Sequence, residues 1–164
     1  MMLRLSKYDP MFRTPDGIYH REDWTSYSDI GKQFADGELT LESYLIVENM
    51  YIDAIVCFFK TAELSRLIID EVEFHISQPN CVGLDIGALS LNVGESIELG
   101  QIDLVVRLCL REGAWCILSG SNHSYLHFGY DYYVYLGASH KQLDQWNPPM
   151  GLFAEVYASP YANE

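Results

Sequence analysis

The sequence predicts an α+β domain, an antiparallel sheet with helices packed on one face. Three observations predict it. Apolar residues recur at helical spacing through 40–62. Aromatic and β-branched residues alternate in strand fashion through 125–136. The chain of 164 residues is 49% apolar and 13% aromatic, enough to bury one sizeable core without staples. No internal repeat, low-complexity tract or linker interrupts it, so 1–164 reads as a single domain.

Residues 6–39 read as an ordered loop rich in aromatics. Pro10, Pro15, Asp16-Gly17, Gly31 and Asp36-Gly37 are turn formers. Tyr8, Phe12, Tyr19, Trp24 and Tyr27 supply the apolar area to pin such a loop onto the body of the domain. The helix of 40–62 follows, with Thr40 as N-cap and Glu42 in its first turn, near the positive end of the helix dipole. Leu41, Tyr44, Leu45, Ile52, Ile55, Phe58, Phe59 and Ala62 keep the helical period, while Val47, Met50, Ala54 and Val56 make the remaining surface apolar too. The expectation is a deep helix covered on more than one side, with Glu48 and Asp53 as its main charges.

Val72, Phe74 and Ile76 alternate with Glu73 and His75, so 67–76 reads as a strand. Asn80, Gly83, Asp85 and Gly87 then make a turn-rich segment. A second helix is predicted over 96–111, with Ile102, Val105, Val106 and Cys109 on one face and Asp103–Arg107 as an i, i+4 pair. After Gly113 come a short strand over 114–118 and a turn at Gly120-Ser121-Asn122. Residues 125–136 read as one long strand. Leu126, Phe128, Tyr130, Tyr132, Val134 and Leu136 then share a core-facing side, and Tyr125, His127, Gly129, Asp131, Tyr133 and Tyr135 share the other. Residues 152–156 read as a last strand.

Charge is the first clue to function. There are 23 Asp and Glu against 10 Lys and Arg, a formal net charge of -13. Seven acidic residues and no Lys or Arg lie between Leu67 and Val106, and none of the basic residues follows Lys141. Such a surface repels nucleic acid and anionic membrane and attracts basic partners; it also serves solubility. Cys57, Cys81, Cys109 and Cys116 form no C-x-x-C pair, and three sit in apolar runs, the setting of buried free thiols. The first eight residues lack the apolar stretch of a signal peptide, and no segment offers 18 uncharged apolar residues; a reducing cytoplasm is the expected setting.

Catalytic signatures are missing. The sequence has no G-x-S-x-G elbow, no phosphate-binding G-x-x-x-x-G-K-[ST] loop and no G-x-G-x-x-G opening a helix. His123 and His127 carry i, i+4 spacing, but in a strand they stand about 13 Å apart and cannot share one zinc. The expectation is therefore no catalytic residue, no metal and no cofactor. The constellation worth pursuing is the odd-numbered side of 125–136. Tyr125, Tyr133 and Tyr135 offer rigid contact area with hydroxyls, beside His127 and the charge of Asp131. If that side is instead covered by residues 6–39 or by a helix, the tyrosines are core and Asp131 pairs internally, with Arg107 or Arg111. The expected partner-binding set is Asp131, Tyr133, His127, Tyr125 and Tyr135, with Asp70, Glu71 and Glu73 of the acidic stretch.

At these residues a resemblance arises. D-W-T-S-Y-S-D-I-G (23–31), L-T-L-E-S-Y-L (39–45), R-L-C-L-R-E-x-x-W-C (107–116), H-F-G-Y-D-Y-Y-V-Y-L-G (127–137) and G-L-F-A-E-V-Y-A-S-P-Y (151–161) resemble elements of small bacterial immunity proteins, those of contact-dependent growth inhibition and related polymorphic-toxin systems. The resemblance spans most of the chain. It implies a cytoplasmic protein without turnover that binds one cognate toxin domain, often a nuclease, and covers its active site or substrate surface. A nuclease presents positive charge to hold phosphates, so the acidic surface suits that role. The competing readings are a small enzyme or ligand-binding domain, which needs a pocket of a few hundred Å³ with convergent polar groups, and a scaffold module of a larger assembly.

Overall fold

The computed structural model describes residues 1–161 apart from 76–78, 82, 86, 88, 89 and 140. Its strands are β1 (Met2–Ser6), β2 (Gln33–Phe34), β3 (Gly37–Glu38), β4 (Arg66–Phe74), β5 (Ser96–Glu98), β6 (Ala114–Gly120), β7 (Ser124–Phe128), β8 (Val134–Gly137) and β9 (Phe153–Val156). Its helices are α1 (Leu41–Thr61) and α2 (Ile102–Leu110). Among the described residues, seven strands form one antiparallel sheet in the order β5-β4-β6-β7-β8-β1-β9, and β2-β3 is a separate small hairpin. The two helices pack on each other and on one face of the sheet, the α+β arrangement the sequence predicts.

The core follows from alternation. Leu67 and Ile69 of β4, Cys116 and Leu118 of β6, Leu126 and Phe128 of β7, Val134 and Leu136 of β8, and Leu3 and Leu5 of β1 are buried in one cluster with the helices. Strand residues two apart share a face, so a single register fixes the whole set. Helix α1 starts where Thr40 predicts. The Thr40 hydroxyl accepts from the Ser43 amide at 3.1 Å, and the Ser43 hydroxyl accepts from the Thr40 amide at 3.0 Å. Such a reciprocal cap stabilises a helix by about 1 kcal/mol. Tyr44, Glu48, Tyr51, Ile55 and Phe58 form the buried stripe, while Glu42, Ile46, Asn49, Asp53, Cys57 and Lys60 keep one stripe in solvent. The helix is thus widely covered but not surrounded, and Cys57 is exposed rather than buried.

Of the expected loop region 6–39, Ser6 ends β1, and the rest is loop with short helical turns at Pro10–Phe12 and Tyr27–Asp29 and the β2–β3 hairpin. Trp24 meets Tyr132 and Tyr44 at ring-centroid distances of 4.8 and 5.5 Å, and Tyr27 meets Tyr44 at 4.8 Å. These three contacts hold the loop against α1 and the turn between β7 and β8.

Several expectations change. The helix expected over 96–111 begins only at Ile102, because Ser96–Glu98 pairs with β4 as an edge strand. Arg107 pairs with Glu48 of α1 rather than with Asp103. The strand expected over 67–76 is β4, with Ile76 outside the described residues. Strand β1 had no clear pattern in sequence, yet it lies between β8 and β9.

The largest correction concerns 125–136, which is a hairpin and not one strand. Tyr133 donates its amide to the Tyr130 carbonyl at 3.1 Å, and Gly129 donates to the Tyr133 carbonyl at 2.8 Å. Asp131 and Tyr132 take φ of 54° and 63°, the signs of a type I′ turn. Gly129 and Asp131 disfavour a strand, but the tyrosines and β-branched residues around them favour one and mask the reversal. The even-numbered side survives within the strands, because Leu126 faces Leu136 and Phe128 faces Val134. Tyr130 leaves it, standing 83% exposed at the tip, whereas Tyr132 is buried.

Candidate partner-binding surface

The sheet face away from the helices is the candidate surface. Register builds one transverse row across it: Glu71 opposite Ile117, Ile117 opposite His127, His127 opposite Tyr135, Tyr135 opposite Arg4, and Arg4 opposite Glu155. Strand β4 shifts register between Ile69 and Glu71, with Asp70 as the extra residue. Beyond that bulge Glu71 and Glu73 lie on this face, opposite Ile117 and Trp115. Asp70, Glu71 and Glu73 are all exposed.

The centre of the face is not open: four of the tyrosine-face residues, His127, Tyr135, Tyr125 and Tyr133, are wholly or partly covered. The chain after β9 lies across it. The Ser159 hydroxyl hydrogen-bonds Nδ1 of His127 at 2.7 Å, and Tyr161 packs on Tyr135, His127 and Trp115 at 6.0, 6.3 and 5.6 Å. His127 and Tyr135 are buried as a result. Burial also lowers the His127 pKa to about 4, against the opposing pull of Asp70. Tyr125 is half-buried and stacks on His127 at 4.5 Å. Tyr133 is half-buried too. Arg4 lies over its ring at 4.9 Å, and Arg13 donates to its hydroxyl at 3.1 Å. The covering alternative is thus realised here, by the C-terminal segment and residues 7–39 rather than by a helix. Asp131 alone of the odd-numbered side chains is exposed, at the hairpin tip.

Among the described residues a shallow cleft of about 600 Å³ lies between Arg4, Arg13, Tyr133 and Glu155, and two further clefts lie at opposite ends of the covered centre. The first, about 520 Å³, brings Asp70, Glu71, Tyr125 and His127 together beside the β6–β7 turn. The second, about 290 Å³, lies at the β7–β8 turn and is lined by Asp131 and Tyr133 of the expected set. Glu73 lines neither and stands opposite Trp115, which lines the second.

Sequence reading missed the network that supports the second cleft. Glu48 is fully buried in α1. It accepts from Arg111 Nε at 2.6 Å and Arg111 Nη2 at 2.8 Å, from Arg107, and from the Tyr44 hydroxyl at 3.3 Å. Its hydrogen bond is the chief reason the Arg111 guanidinium is held above its usual pKa. The Tyr132 hydroxyl donates at 2.9 Å to the Leu110 carbonyl and meets the Tyr44 hydroxyl at 3.1 Å, and the Tyr51 hydroxyl donates at 2.6 Å to the Tyr132 carbonyl. A signal existed: Glu48 occupies the apolar stripe of α1, where a charge demands a buried partner. Its partners come from α2, about sixty residues on, and no spacing rule reaches that far.

The ion pairs show where most of the few basic side chains go, leaving the acid of the sequence in excess. Arg4 and Arg13 hold Glu155, Arg21 holds Asp23 and Asp36, Lys32 holds Asp29, and Arg107 and Arg111 hold Glu48. Burial opposes ionisation of Glu155, yet the hydrogen bonds from Arg13 and Arg4 keep its carboxyl below the usual range. The Lys7 ammonium lies on the rings of Trp24 and Tyr8, at 4.0 and 4.2 Å, and burial lowers its pKa to about 8. Most of the basic side chains are therefore engaged within the fold. Asp70, Glu71, Glu73, Glu112 and Asp131 make no ion pair with a described residue.

No helix among the described residues is long and apolar enough to cross a membrane. No family model matches the chain, and neither a curated protein nor a solved structure is significantly similar to it.

Proposed function

We propose that the protein is an immunity protein that acts in the bacterial cytoplasm. It binds a cognate toxin domain through its acidic surface and neutralises it by covering the active site or substrate surface, without catalysis of its own. The observation that carries this reading is the set of exposed carboxylates on β4 (Asp70, Glu71 and Glu73) in a fold whose arginines, Arg66 at the start of β4 apart, are engaged by internal carboxylates. The partner is a basic protein, and a nuclease supplies such a surface because it must hold phosphates. Neither nucleic acid nor an anionic membrane complements a net charge of -13. The sequence resemblance to immunity proteins points the same way.

Co-expression with the toxin domain encoded immediately upstream tests this. Restored growth together with tight, salt-sensitive binding is expected; absence of binding at low salt ends the proposal. Within that complex, neutralising Glu71 and Glu73 to Gln should slow association several-fold and leave dissociation nearly unchanged, the mark of electrostatic steering. Equal effects on both rates would instead make these side chains direct contacts. The two clefts favour one second reading, a small-ligand domain, for which the volume of about 520 Å³ beside His127 is the place to look.

A further inference from the structure

We propose that the cleft at the β7–β8 turn is a receptor for a single arginine side chain of the basic partner. This rests on the reading above and gives the partner a chemistry at one point. The cleft holds about 290 Å³, the size of a long side chain rather than of a folded segment. Its walls are Trp115, Phe128, Tyr130 and Tyr132, and its charged lining is Glu112 and Asp131. The two carboxylates come from different elements, the end of α2 and the hairpin tip. Both sit on left-handed backbone, with φ of 62° and 54°. Both are exposed, and neither has an ion-pair partner among the described residues. Arg107 and Arg111, the nearest arginines in sequence, are taken by Glu48.

Aromatic walls with acid at the mouth select a cation that also carries apolar surface. A guanidinium fits better than an ammonium, because it is planar, weakly hydrated, stacks on rings and presents several donors in one plane. Its methylene stem would lie on the aromatic floor. A protein source is favoured over a free small cation by Tyr130. It is 83% exposed beside the cleft, on a tip held rigid by the Tyr132 hydrogen bonds, and gains burial only against a larger surface.

The test is an NMR titration of the intact protein with the peptide acetyl-Gly-Arg-Gly-amide, set against its citrulline counterpart. Saturable shifts of the Trp115 indole and of the amides of 112 and 129–133 are expected, with citrulline binding at least tenfold weaker. The double variant Glu112→Gln, Asp131→Asn should bind the arginine peptide at least tenfold more weakly and keep the wild-type spectrum elsewhere. Equal binding of citrulline, or shifts centred on Asp70 and Glu71, would overturn the assignment. Tighter binding of tetramethylammonium or spermidine than of the peptide would overturn the protein source. The toxin complex separates the two proposals. If the toxin binds wild type and double variant alike, the arginine cleft fails and the immunity reading stands; if the peptide binds but no toxin does, the reverse holds.

Discussion

Two turns of the same handedness close β7 at its two ends, and they are maintained by opposite means. At the β6–β7 turn, Asn122 and His123 take φ of 57° and 55°, both side chains are exposed, and the Ser124 amide donates to the Ser121 carbonyl at 3.1 Å. Asparagine tolerates this conformation, so local preference goes far towards forming the turn. At the β7–β8 turn, Asp131 and Tyr132 take φ of 54° and 63°. A bulky aromatic does not choose that conformation on its own. Tyr132 is held in it by burial and by its hydroxyl and carbonyl hydrogen bonds to α1 and α2. The first turn is a connection. The second is set by tertiary structure, and it is the one that carries the exposed Tyr130 and Asp131.

The strongest way to break this difference is to remove the charge at the root of the network. Glu48→Ala leaves Arg107 and Arg111 without their carboxylate, and should cost about 3–5 kcal/mol in urea unfolding, as loss of one member of a buried pair does. The same variant should raise amide exchange at 129–133 far more than at 121–124. Equal loosening at both turns would show that Glu48 supports the domain in general and not the tip.

The two ends differ next in their response to acid. Behind the tip, the hydrogen bond to Glu48 raises the pKa of the Arg111 guanidinium further above its usual value. The covered centre depends on His127, which is neutral in the fold with a pKa lowered to about 4. An unfolded histidine titrates near 6.5, so between these values the unfolded state binds the extra proton, and stability falls as pH falls. A loss on the order of 2–3 kcal/mol is expected between pH 6.5 and 4. His127→Gln should flatten that limb in pH-dependent denaturation. Freeing of Tyr157 and Tyr161, read as proteolysis of the C-terminal segment, should accompany the acid limb in the wild type.

These expectations also show what the sequence could and could not tell. Helix α1 was legible because its cap is local and its period is sustained over five turns. Glu71 and Glu73 were legible as exposed acid because no Lys or Arg occurs between Arg66 and Arg107. The hairpin at 129–133 was hard to read: Tyr130, Tyr132 and Tyr133 carry strand propensity that masks the turn preference of Gly129 and Asp131, and the contacts that fix the bend come from Tyr44, Tyr51 and Leu110. The cover over His127 and Tyr135 was hidden for the same reason, since Ser159 and Tyr161 reach it only through the register of β9 on β1. What the sequence offered as one tyrosine face is therefore a covered centre with a cleft at each end.

Smaller substitutions sharpen the contrast. Tyr132→Phe keeps the ring but loses the bond to the Leu110 carbonyl, and should cost about 1–2 kcal/mol because a buried acceptor is left unmet. At the other turn, Asn122→Gly exchanges one residue suited to positive φ for another, and should change stability by no more than about 0.5 kcal/mol. Asp131→Gly is the informative companion. If the tip obeyed local preference, glycine would relax it and stabilise the protein. Because Tyr132 is already fixed from behind, the change should be as small as at Asn122, while removing one of the two carboxylates of the cleft. A stabilisation clearly above 1 kcal/mol would mean that the strain at the tip resides in Asp131, and that the buried network does not bear it alone.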